Sequence, residues 1–154
     1  MGIVLTRIDE RLVHGQIMTS WAKYLKLNRI VVVDDEVYND EFMREVISYS
    51  APVGIETKVI NSSQIDYLEM IKNDSKNTLL LFKDIKNVER VINNGYKINE
   101  LQIGNVSSTP DRKKITNNVS LSESELVSLD NIIKSGTNVY AQMMHTDKRN
   151  NLTN

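Results

Sequence analysis

At 154 residues and a formal charge of -1, the chain has the size of one ordinary domain, long enough to bury about 70% of its unfolded surface. Its 19 basic and 20 acidic residues create no global field for nucleic acid or anionic lipid, and zero cysteines exclude disulfides, thiolate metal sites and cysteine nucleophiles while fitting a reducing compartment. The opening MGIVLTRIDE has neither the apolar core nor the cleavage site of a secretory signal, and no apolar run approaches the ~20 residues that span a bilayer. The expectation is a soluble cytoplasmic protein, one domain over 1–154, reaching a membrane only through a partner.

In chain order, Gly2–Ile8 reads as a strand and Gly15 to Leu25 as a helix with Ile17, Trp21, Tyr24 and Leu25 on its apolar side. After a strand at Arg29–Val33, a second helix takes Asn39 as cap and Asp40 and Glu41 at its positive start. Its buried face is Phe42, Met43, Val46 and Ile47, and Pro52 stops it. A strand at Gly54–Ile60 leads to a third helix, with Ser63 and Asp66 as a capping box and Ile65, Leu68 and Ile71 inside. Then come a strand at Thr78–Phe82 and a helix capped by Asp84, with Val88, Val91 and Ile92 inside and Gly95 past its end. Strands at Glu100–Ile103 and Val119–Leu121 flank a loop in which Gly104 and Pro110 mark turns. Ser122 and Glu125 box the last helix, whose face is Leu126, Leu129, Ile132 and Ile133, and a strand at Asn138–Met144 closes the series.

This alternation implies right-handed βαβ crossovers, and IVVVD and TLLLF are the unbroken apolar runs of parallel strands covered on both sides. The expected fold is α/β: an open, mostly parallel twisted sheet of about six or seven strands with helices on both faces.

Ligands of such sheets bind beyond the carboxyl ends of strands. After the first strand comes Asp9-Glu10-Arg11-Leu12-Val13-His14-Gly15-Gln16, which holds one of only two histidines. Neutral imidazole offers a lone pair as nucleophile, base or ligand. Gly15 allows close approach of a bulky group, and the amides opening the helix, Gln16 among them, favour an anion. Arg11 brings a planar fork of donors, and Asp9 can hold either the imidazole or Arg11. The segment therefore describes a phosphoryl seat at His14, with a solvated or capping histidine as the plain alternative. No nucleotide-binding glycine pattern occurs, and no metal or cofactor is expected.

Asp34-Asp35-Glu36 after the second strand can bind a divalent cation or simply cap a helix. His145 reads as a surface residue, and Trp21 and the Met143-Met144 pair as core. Arg112-Lys113-Lys114, in the Asn105–Lys114 loop, is either solvated or a patch for an acidic partner or phosphate charge.

RIDERLVHGQIMTSW, followed by IVVVDDEVYNDEF and SAPVGIETKVI, resembles the IIB subunit of the mannose/fructose/sorbose family of the bacterial sugar phosphotransferase system. Weaker likeness continues through LLLFKDIKNVERVINNG, ELQIGNV, KKITNNVSLSESEL and TDKRNNL. The resemblance implies a cytoplasmic carrier that takes a phosphoryl group from a phosphohistidine on the IIA protein. It then gives that group to a sugar entering through the membrane IIC and IID subunits, whose inner face recruits it. By position, the phosphorylated histidine of R-x-x-H-G-Q falls on His14, with the bond at the ring nitrogen nearer the backbone, and Arg11 and Asp9 fall beside the phosphoryl group. A homodimer is also implied. The competing readings are a receiver-like signalling domain phosphorylated on aspartate, in which Asp34, Asp35 and magnesium matter, and a non-catalytic binding module.

Overall fold

The apolar runs become the inner strands of a seven-stranded sheet in a computed structural model that describes residues 2–13 and 15–153. In chain order the elements are β1 (Gly2–Asp9), α1 (Gln16–Leu25), β2 (Arg29–Val33), α2 (Asp35–Tyr38), α3 (Glu41–Ser50), β3 (Glu56–Ile60), α4 (Ile65–Ile71), β4 (Asn77–Phe82) and α5 (Ile85–Asn93). There follow β5 (Glu100–Asn105), β6 (Lys113–Thr116), β7 (Val119–Leu121), α6 (Glu123–Lys134), β8 (Asn138–Ala141) and β9 (Asn150–Asn151). The sheet order is β3-β2-β4-β1-β5-β8-β9; six strands run parallel and β9 pairs antiparallel to β8.

Alternation sends Val31, Val33, Leu80 and Phe82 to one face, where α4, α5 and α6 cover them, and Ile30, Val32, Leu79 and Leu81 to the other, under α1, α2 and α3. From β1 the chain leaves for the α1 face, whereas its neighbours β4 and β5 lead to helices on the opposite face. This divergence opens the carboxyl edge around β1, the place where an open α/β sheet receives ligands.

The expected α/β sheet is present, with local differences. Val119–Leu121 belongs to a separate hairpin with β6, joined to the sheet by a bridge from Val106, because the chain leaves the sheet after Asn105 and before α6 begins. Gly104 is inside β5 rather than at a turn. Asp40 caps α3 through the Met43 amide, while Asn39 ends the four-residue α2. Ser63 is spent on Asn61 Oδ1, so α4 starts from Gln64 without a side-chain cap. Asp84 caps α5, and Ser122 with Glu125 forms the full box on α6, as their spacings predict.

Two helix faces are rotated from expectation. On α1 the buried residues are Met18, Trp21 and Ala22, while Tyr24 is exposed under the ring of His145. On α3 Ile47 is buried and Met43 half-buried, but Phe42 and Val46 face solvent. That helix crosses between β2 and the edge strand β3, so only a narrow stripe finds sheet beneath it.

Candidate active site

Residues two apart in a strand share a face, so Arg7 and Asp9 both point towards α1 from the end of β1. Arg7 is 0% exposed, an unusual place for a guanidinium unless it is well partnered, and four hydrogen bonds meet its two terminal nitrogens while its buried Nε has no partner among the described residues. Its Nη2 donates to Asp9 Oδ2 at 3.1 Å and to the Met143 carbonyl at 3.1 Å; its Nη1 donates to the Gln142 carbonyl at 3.1 Å and to Gln102 Oε1. Gln102 Nε2 in turn donates to Gln142 Oε1 at 3.0 Å. The guanidinium also lies 5.4 Å from the ring centre of Trp21, whose Nε1 donates to the same Met143 carbonyl at 2.9 Å. One buried cation thus joins β1, β5, the end of β8 and α1. Burial pulls the Arg7 pKa down and Asp9 opposes it.

Asp9, 3% exposed, receives Arg11 from the other side. The Arg11 backbone amide and Nε both donate to Oδ1, at 3.0 and 3.1 Å, and Nη2 donates to Oδ2 at 2.9 Å. These bonds hold the Arg11 guanidinium above its usual pKa. Two guanidinium groups thus share one carboxylate at the mouth of the β1–α1 loop.

The loop itself is pinned. The Leu12 amide donates to the Asp9 carbonyl at 2.9 Å, and Leu12 adopts φ +56°, a left-handed conformation costly for a branched side chain. Its burial, with that of Val13, holds it there. Gly15 takes φ +93° as the N-cap of α1, and among the described residues no side chain caps the first-turn amides that Gln16 opens. His14 lies outside the described residues, so the site is built from its neighbours on both sides.

Glu10 ties the loop to residues 107–112: its Oε1 accepts from the Ser107 amide at 2.7 Å, and Arg112 Nη1 reaches Oε2 at 3.5 Å. Arg112 also donates to both Glu125 oxygens, at 2.9 and 3.1 Å, and to the Ser107 carbonyl at 2.9 Å. Burial pushes Glu125 up, but the Ser122 amide and Arg112 outweigh it and hold its carboxyl below the usual glutamate range. Arg112 is therefore engaged within the fold, while Lys113 and Lys114 are exposed on β6.

The acidic run after β2 sits apart from this cluster. Asp34 caps α2 through the Val37 amide at 2.9 Å and accepts from Asn87 Nδ2 at 3.2 Å; burial raises its pKa. Asp35 accepts from the Ser62 amide and hydroxyl at 2.7 and 3.0 Å. The acidic run thus serves the capping role, which disfavours the receiver-like alternative. His145 is half-buried rather than free, stacked on Tyr24 at 4.2 Å and 3.1 Å from Ser20 Oγ. Trp21 is core as expected, and Met143 and Met144 are only half-buried.

Sequence reading passed over Arg7, Gln102 and Gln142. The available signal was the arginine two residues before Asp9 inside an otherwise apolar strand. Gly104 belongs with them, because a Cβ there would lie 2.1 Å from Arg7 Cζ. We expect Gly104→Ala to push the guanidinium from its seat and cost on the order of 3 kcal/mol, read as a lower urea midpoint at unchanged slope. A variant as stable as the wild type would show that Arg7 has other room.

The sequence matches the pattern of the PTS system sorbose subfamily IIB component over residues 3–154. It is 30% identical to the mannose-specific EIIAB component of Escherichia coli K12 over 97% of this chain and 46% of that one, so it spans about half the length of that relative. It is 29% identical to the sorbose-specific EIIB component of Klebsiella pneumoniae, over 99% of this chain and 93% of the other. The crystal structure of the IIBSor domain of the Klebsiella pneumoniae sorbose permease superposes with a TM-score of 0.88 at 28% identity, covering 99% and 94% of the two chains. That of manxB from Thermoanaerobacter tengcongensis does so at 0.82 and 39%, covering 98% and 92%. With fold, length and motif order agreeing, this chain belongs to the sorbose-subfamily IIB components of the sugar phosphotransferase system.

Proposed function

We propose that this protein is a cytoplasmic phosphoryl carrier that accepts a phosphoryl group on His14 from a phosphohistidine of IIA and passes it to a sugar entering through membrane IIC and IID subunits. The observation that carries this reading is the pinned β1–α1 loop, with Arg7 holding Asp9, Asp9 holding Arg11 and the first-turn amides of α1 opening beyond the N-cap Gly15. Phosphoryl transfer asks chiefly for positioning and charge stabilisation, and these are what the loop supplies.

In the first step the lone pair of the neutral ring nitrogen nearer the backbone attacks phosphorus. A new N–P bond forms as the N–P bond to the donor histidine breaks, returning an electron pair to the donor ring. In the second step a sugar hydroxyl oxygen attacks phosphorus, the O–P bond forms as the N–P bond of His14 breaks and returns its electron pair to the ring, and the hydroxyl proton passes to water. Asp9 engages Nε and one edge of the Arg11 fork, which leaves the outward donors of this half-buried guanidinium for phosphate oxygens. The α1 amides at Gly15 and Gln16 add partial positive charge.

The test is intact mass after incubation with phosphoenolpyruvate, the general phosphotransferase proteins and IIA. The expected result is a gain of one phosphoryl group (~80 Da), stable to alkali and lost in acid. No gain from a charged IIA, or an alkali-labile acyl phosphate, would overturn the assignment.

A further inference from the structure

Single apolar side chains on a surface need no explanation, but three in one line do. Phe42, Val46 and Tyr49 recur at spacings of four and three residues along α3, on the side of the helix away from buried Ile47, and all are exposed, Phe42 at 70% and Tyr49 at 87%. Val53, exposed in the turn just past α3, follows them in the chain. Two of them are aromatic or phenolic, the types that dominate binding energy in interfaces. Glu41 and Glu45 stand exposed along one flank. Arg44, the one cation of the helix, is turned back onto the Tyr38 carbonyl and ring.

We propose that this stripe is a docking surface for an apolar protein segment flanked by lysine or arginine. On the function proposed above, that segment belongs to the cytoplasmic side of the membrane subunits. Charge complementarity selects the occupant. Cytoplasmic loops of membrane proteins carry an excess of lysine and arginine, which suits the Glu41–Glu45 flank. Anionic lipid headgroups would be repelled by that flank. An antiparallel two-fold contact with a second copy would bring the acidic flanks of the two helices to the same side, where they repel. Position agrees as well. Through α2 and Asp40, α3 begins at the carboxyl edge of the sheet, the edge that also carries the β1–α1 loop.

The experiment separates the two half-reactions. The full-length protein is charged by phospho-IIA and titrated into membranes bearing the cognate subunits, comparing wild type with Phe42→Ser/Tyr49→Ser and with Glu41→Lys/Glu45→Lys. Val127→Ser, on exposed α6 across the sheet, serves as control. Each double variant is expected to raise the half-saturating concentration for sugar phosphorylation about tenfold, with charging by IIA within about twofold of wild type and no change in the control. The surface is refuted by an unchanged membrane step, by an equal loss in the IIA step, by a wild-type dimer that the serine variants dissociate, or by stripe-dependent binding to protein-free anionic vesicles. A wild type that takes no phosphate from charged IIA refutes the function itself and this partner with it.

Discussion

Replacing His14 with alanine is expected to abolish phosphate incorporation and to lower sugar phosphorylation by the reconstituted system on the order of a thousandfold or more, since no other group on the β1–α1 loop can take its place as nucleophile. The chain has two histidines, so His145→Ala is the internal control. His145 stacks on Tyr24 and meets Trp21 edge-on at 5.6 Å, which makes it a packing residue of α1. Its loss should cost about 1 kcal/mol of stability and leave incorporation intact. Alkali-quenched intact mass reads both variants in one experiment. Phosphate retained by His14→Ala and lost from His145→Ala would reverse the assignment.

The parts of this fold that were legible in the sequence are those fixed by local chemistry. TLLLF and IVVVD are legible because a run of consecutive apolar residues fills both faces of a strand covered on each side. The caps at Asp84 and Ser122 need only a side chain three residues from an amide. The parts that were not legible depend on what lies opposite. Phe42 and Val46 have the period of a buried face, but whether a sheet extends beneath them is set by where β3 ends the sheet, which no helical spacing encodes.

The site divides in the same way. Asp9, Arg11, Gly15 and Gln16 stand within one contiguous motif, and the structure bonds Arg11 to Asp9 and sets Gly15 at the start of α1. The support beneath them comes from Arg7, Gln102, Gly104, Gln142 and Met143, separated by up to 136 residues, and it exists only because β5 and β8 follow β1 in the sheet. A glycine that looked like a turn is instead the gap that admits a guanidinium. Similarly, Arg112, which looked like a free basic patch, is a clasp between Glu10 and Glu125.

Asp9→Asn should then have the largest effect on stability of any change at the site. The amide keeps the shape of the carboxylate but removes its charge, leaving Arg7, 0% exposed, without an anion. Breaking a buried pair from one side costs roughly 3–5 kcal/mol, because the partner's charge stays buried and unmatched. Arg11→Met removes the outer partner, whose side chain is 33% exposed, so its stability cost should stay below about 1 kcal/mol. Its effect falls on phosphoryl transfer, slowed on the order of a hundredfold by loss of a charge at the transition state. The double replacement Arg7→Met/Asp9→Leu distinguishes charge from packing: exchanging both buried ions for apolar groups should recover much of the stability lost in Asp9→Asn. Transfer should remain slow, because Arg11 would have lost the carboxylate that aims it. Urea unfolding and single-turnover charging from phospho-IIA measure the two quantities separately. Should Asp9→Asn unfold like the wild type, Arg7 would be balanced by its carbonyl and amide partners alone, and Asp9 would serve only to orient Arg11.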